Sequence, residues 1–71
     1  MQYRVQTADM YARTKGYDLW LNTTGLIPKE TAIDYARALS EKTNTPIRVT
    51  KGLTQIVVAT FNENNEDKEG N

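Results

Sequence analysis

Tyr3, Arg4, Tyr11, Arg13, Lys15, Tyr17 and Trp20 crowd the first twenty positions, interleaving rings with cations. Aromatic faces stack on planar bases, and Arg and Lys neutralise phosphate, so this composition suits a nucleotide or a single strand of nucleic acid. The same residue types also form strands and anchor protein interfaces. A second candidate is Asn22-Thr23-Thr24-Gly25, which leads towards Pro28 and Lys29. Hydroxyls and a glycine before a helix start can cradle a phosphate, because the helix N-terminus offers unpaired N–H groups. Lys51 adds a cation beside a glycine turn. The candidate ligand set is therefore Arg4, Tyr11, Arg13, Lys15, Tyr17, Trp20, Thr23, Thr24, Lys29 and Lys51.

Catalysis finds less support. The chain has no His and no Cys, so it lacks an imidazole base, a thiolate nucleophile and the usual soft metal ligands. Glu30, Asp34 and Glu41 share the wet face of an expected helix, and nothing fixes Asp9 and Asp18 as a carboxylate pair. No phosphate-loop or dinucleotide fingerprint is present. The expectation is a binding protein, not an enzyme, with no cofactor and no metal.

The chain's 71 residues allow one small domain with a thin core. A net charge of zero hides a split. Residues 1–61 carry eight Lys/Arg against five acids, a net +3, whereas residues 62–71 carry one Lys against four acids, a net −3. The segment 62–71 has no apolar side chain to offset ordering entropy, so it is expected to be a disordered, dispensable acidic tail. Its expected role is that of a solubilising tail, or of a tail that screens a basic surface or mimics nucleic-acid charge. The longest apolar run, Ile56-Val57-Val58-Ala59, is far too short to span a bilayer, and no secretory leader is visible. A cytoplasmic location without membrane contact is the expectation.

The elements that must position these residues read as ββαββ. Gln2–Ala12 alternates imperfectly, Arg13-Thr14-Lys15-Gly16 signals a turn, and Tyr17–Thr23 alternates again, which predicts an antiparallel hairpin. Ala32, Ile33, Tyr35, Ala36 and Leu39 form an apolar stripe at helical spacing, running to about Lys42. Pro46–Thr50 and Leu53–Phe61 read as strands joined at Lys51-Gly52. The fold class is α+β: a four-stranded, largely antiparallel sheet with one helix on one face, residues 1–61 forming the single domain.

One helix covers one face of such a sheet. The last strand is nevertheless apolar on both sides, and Trp20 points opposite Leu19 and Leu21. Trp20, Ile56 and Val58 are therefore expected to sit in an interface with a second copy or a partner protein.

In overall build across residues 1–61, the chain resembles small phage-encoded host-takeover or anti-defence proteins. The resemblance carries no motif. It implies stoichiometric action, either as a homo-oligomer sequestering a small anionic ligand such as a cyclic nucleotide signal, or as an inhibitor docking its open sheet face or edge on a host protein. It also implies a setting in the host cytoplasm. A nucleic-acid-binding accessory role is a weaker alternative, because the charge excess is small.

Overall fold

The computed structural model describes residues 1–62; the rest of the acidic segment, and with it the expectation of a disordered tail, lies outside the described residues. The order of elements is β1 (Gln2–Ala8), α1 (Met10–Thr14), β2 (Trp20–Asn22), β3 (Ile27–Pro28), α2 (Lys29–Lys42), β4 (Ile47–Lys51) and β5 (Val57–Phe61). All strand pairs are antiparallel, and the sheet runs β2-β1-β4-β5, with β3 also pairing β1. The α+β class expected from the sequence is what the chain forms. The edge beside β1 is one broken strand: β2 pairs Gln6–Ala8, and β3 pairs Gln2 and Tyr3.

Alternation along β1 and β4 decides what is buried. Tyr3, Val5, Ile47 and Val49 point to one face and meet Ala32 and Ala36 of α2. Ile27, Ile33, Leu39, Ala59 and Phe61 close around them. Alanine at the two innermost helix positions brings the helix backbone close to the sheet. Val5, Ile47 and Val49 are fully buried, and each contributes on the order of 1.5–3 kcal/mol through lost apolar exposure. The helical stripe expected from spacing faces the core except at Tyr35, which is exposed. Among the described residues no helix is long and apolar enough to cross a membrane.

Two expected elements are different. The first antiparallel pair forms between β1 and β2, but not as a hairpin with a short turn: β1 ends at Ala8, and a short helix replaces the second half of the expected strand and the turn. The cause is a cap. The Asp9 side chain accepts the Ala12 N–H at 3.1 Å, which satisfies a donor at the start of α1 and outweighs the strand preference of Tyr11. Gly16, at φ 88, takes the left-handed conformation just past this helix. Asp9 and Asp18 therefore do not face each other across a hairpin. The last strand is also shorter than Leu53–Phe61. Thr54 donates to the Lys51 carbonyl and accepts from the Ile56 N–H, so a local turn holds residues that would otherwise extend. Pairing then slips by one residue between Val49 and Thr50, where Thr50 opposes Val57 and Val49 opposes Ala59. A bulge of this kind leaves Val58 without an opposite residue.

The uncovered face of the sheet is mainly polar. Its rows carry Arg4, Gln6, Ala8, Asn22, Arg48, Thr50 and Thr60, with Trp20 and Val57. The apolar surplus lies at the outer margin instead, where Leu53, Ile56, Val57 and Val58 are exposed. Tyr17 and Leu19 are exposed as well. Leu21 does share the helix-side row, opposite Thr7, but α2 lies chiefly over β1, β3, β4 and β5, so Leu21 stays 50% exposed.

Candidate anion site on the open sheet face

The open face is organised by a hydrogen-bond chain across three strands. Arg48 Nε donates to Gln6 Oε1 at 2.8 Å, and Gln6 Nε2 donates to Asn22 Oδ1 at 2.8 Å. The register explains it: Gln6 lies directly opposite both Arg48 on β4 and Asn22 on β2. Gln6 is buried, so its amide has both ends satisfied by partners that are themselves fixed by backbone pairing. Such a chain holds the Arg48 guanidinium in one place and one orientation.

Trp20 completes the cluster. It opposes Ala8, one pair further along the same face. Its ring lies 4.3 Å from the Arg48 guanidinium and 5.4 Å from that of Arg13, both within cation–π range. The indole Nε1 donates to Asp18 Oδ1 at 2.9 Å, and Arg13 Nη2 stands 3.9 Å from the same oxygen. Asp18 thus orients both the ring and the second cation. A guanidinium lying on an aromatic face keeps its N–H groups in the plane, where a planar or tetrahedral oxyanion meets them two at a time.

An open hollow of about 610 Å³ lies at this cluster, lined by Arg13, Tyr17, Asp18, Trp20, Arg48, Val57 and Thr60. The volume falls within the range of small-ligand sites. A smaller hollow of about 210 Å³ shares Asp18, Trp20 and Arg48 in its lining, which is completed by Gln6, Leu19 and Gln55.

Of the residues singled out in the sequence, the structure brings Arg13, Tyr17 and Trp20 together here. Arg4 shares the face but donates to Thr50 Oγ1 at 3.3 Å, further along the sheet. Tyr11 and Lys15 pair with each other, the ammonium 5.2 Å from the ring, and neither lines the hollow. Lys51 opposes Tyr3 on the helix-side row, and Lys29 lies 5.8 Å from the Tyr3 ring. Thr23 and Thr24, the expected phosphate cradle, make internal hydrogen bonds and do not line the hollow. Thr24 Oγ1 accepts from the Val5 N–H at 3.1 Å and donates to the Gly25 carbonyl at 2.8 Å, while the Thr23 and Thr7 hydroxyls bond each other. These hydroxyls are engaged within the protein where the edge partner of β1 is broken. Ile56 and Val58 are exposed, and neither lines the hollow that Trp20 lines.

Arg48, Gln6 and Asn22 were not legible as site residues. The available signal was parity: Arg4 and Gln6 alternate with Tyr3 and Val5, and Arg48 sits between Ile47 and Val49. Parity marks an outward row but not which strands pair. Among the described residues no group of three or more acidic residues is placed to hold a metal ion. No family model, curated protein or solved structure matches this chain.

Proposed function

We propose that the chain is a non-enzymatic binding protein whose open sheet face takes a small phosphate-bearing ligand, with a nucleotide or cyclic nucleotide as the best fit. The observation that carries this reading is the Arg48 guanidinium stacked 4.3 Å over Trp20, with Arg13 over the same ring, beside a hollow of about 610 Å³. The two arginines supply oxyanion contacts. Tyr17, exposed at the margin of the hollow, supplies a ring for a base. Trp20 serves as the platform that orients the cations, and not as the base-stacking surface. The action is sequestration: the ligand leaves chemically unchanged. Assembly into a homo-oligomer through the outer edge of β5, whose residues 53–61 carry no charge, would wall the hollow on its open side. Such an assembly acting on a nucleotide signal would match the phage-type anti-defence proteins that the chain resembles in build.

Calorimetry and emission from Trp20, the sole tryptophan, test this against inorganic phosphate, AMP, cyclic AMP and a cyclic dinucleotide. Binding by one of the nucleotides is expected, weakened roughly tenfold to a hundredfold by Arg48→Gln, the effect of one lost charge-assisted hydrogen bond of about 1.5–3 kcal/mol. Silence from the whole panel at millimolar concentration refutes the reading. A second reading, a stoichiometric blocker of a host protein, draws on the exposed Leu53, Ile56, Val57 and Val58 at the β5 margin. It gains if Ile56→Asp abolishes binding of one protein partner while Arg48→Gln does not. Size-exclusion with light scattering reports the oligomer: a strict monomer at high micromolar concentration removes it.

A further inference from the structure

The register of β1 and β4 sets two arginines in matching positions on the open face. Val5 opposes Val49, and an antiparallel ladder has a local two-fold axis at such a pair. That axis relates Arg4 to Arg48, and Gln6 to Thr50. The side chains keep the same relation. Arg48 Nε donates to Gln6 Oε1 at 2.8 Å, and Arg4 Nε donates to Thr50 Oγ1 at 3.3 Å, each across to the residue directly opposite. Both acceptors are buried, Thr50 completely. Each guanidinium is therefore pinned by its Nε over the neighbouring strand. Among the described residues no carboxylate pairs with Arg4.

The cluster at Trp20 uses one member of this pair. Arg48 and Arg13 meet on the Trp20 ring, whereas Arg4 lies diagonally across the ladder from Arg48. Diagonal neighbours stand about 7–8 Å apart. The two acceptors, Gln6 and Thr50, are diagonal neighbours as well, so the two head groups do not converge on one phosphate while these bonds hold. Gln6 joins the two places: it follows Arg4 in the outward row of β1, and it lines the hollow of about 210 Å³ with Arg48 and Gln55. Two fixed forks at such a spacing suit two separate oxyanions, each met by paired N–H groups. The face carries Arg4, Arg13 and Arg48 against Asp18, a net +2, and two phosphodiesters carry the opposite charge.

We propose that Arg4 forms a second phosphate subsite, so that the ligand of the open face is a dinucleotide, with one phosphate held at Arg13 and Arg48 and the other at Arg4. This rests on the reading of the face as an anion site and adds the number of phosphates the ligand carries. Cyclic and linear dinucleotides share the required chemistry. No chemical step is involved.

Calorimetry with matched ligands tests it: cyclic AMP against cyclic di-AMP, cyclic GMP against cyclic di-GMP, and ApA against pApA, which share their bases and differ in phosphate count. In at least one cyclic pair the dinucleotide should bind roughly tenfold to a hundredfold more tightly, the effect of one added charge-assisted contact, and pApA should exceed ApA if the linear form is the source. Arg4→Gln should erase most of that preference. Arg48→Gln should weaken both members of a pair and leave their ratio near native. Arg4→Lys keeps the charge without the fork and should fall between native and Arg4→Gln. Thr50→Val removes only the acceptor and should reduce the preference with the charge unchanged. Circular-dichroism melts identify the variants that are folded at the assay temperature, and the ratios are read from those. Equal binding within every pair, or a preference that survives Arg4→Gln, overturns the second subsite and leaves the anion site standing. Silence from all six ligands overturns both. Binding that tightens about tenfold with each nucleotide beyond two, in a series of longer oligoadenylates, overturns the dinucleotide assignment in favour of a strand.

Discussion

Replacing Asn62 probes how the last described residue holds the domain closed. Its side-chain amide nitrogen donates towards three carbonyl oxygens, those of Ser40 at 3.3 Å, Thr43 at 3.2 Å and Thr45 at 3.0 Å. These carbonyls lie at the end of α2 and in the loop to β4, where a helix leaves acceptors without intrahelical partners. An amide has two N–H groups, so at most two good bonds are lost on truncation. At about 0.5–1.5 kcal/mol each, the loss is roughly 1–3 kcal/mol. Asn62 also sits at φ 68, where Asn and Gly are tolerated and other residues are strained. Asn62→Gly therefore isolates the hydrogen bonds, and Asn62→Ala adds the backbone cost. Asn62→Asp directs a carboxylate at three carbonyl oxygens and should be the worst of the three. In a domain of this size each kcal/mol shifts the melting temperature by roughly 4–8 °C, so a loss of about 2 kcal/mol lowers it by roughly 8–16 °C. Thermal melts followed by far-ultraviolet circular dichroism measure this. The order expected is native, Gly, Ala, Asp, from most to least stable. If Asn62→Gly melts within about 2 °C of the native chain, the carbonyl clamp contributes nothing and the reasoning fails. By the same reasoning, removal of residues 63–71 should leave stability intact, whereas removal of 62–71 should reproduce the Asn62→Gly loss.

Two further substitutions test the local arguments. Asp9→Ala removes the cap of α1 and should cost about 0.5–2 kcal/mol, seen as faster hydrogen exchange at Ala12 and a lower urea midpoint; unchanged exchange would show that the cap is incidental. Ala36→Leu forces a large side chain where α2 meets β1 and β4 without free space, so it should destabilise by about 1–3 kcal/mol, whereas Ala38→Leu on the exposed side should be near neutral in the same urea titration.

Much of this protein is written in short-range pattern. The stripe of Ala32, Ile33, Ala36 and Leu39 specifies α2, because helical periodicity needs only neighbours three or four residues apart. The alternation of Tyr3 and Val5 with Arg4 and Gln6 specifies an inward and an outward row. The absence of His and Cys restricts the chemistry before any fold is known. What the tertiary structure decided is non-local or close to balance. At Asp9–Thr14 strand preference and a capped helical turn compete, and the Asp9 side chain caps the helix that forms. The site joins Gln6 to Arg48, forty-two residues away, and to Asn22, sixteen away. That union depends on the pairing register of three strands, which burial of Val5 and Val49 sets from the opposite face. A slip of one residue would turn Arg48 into the core and Val49 out to solvent.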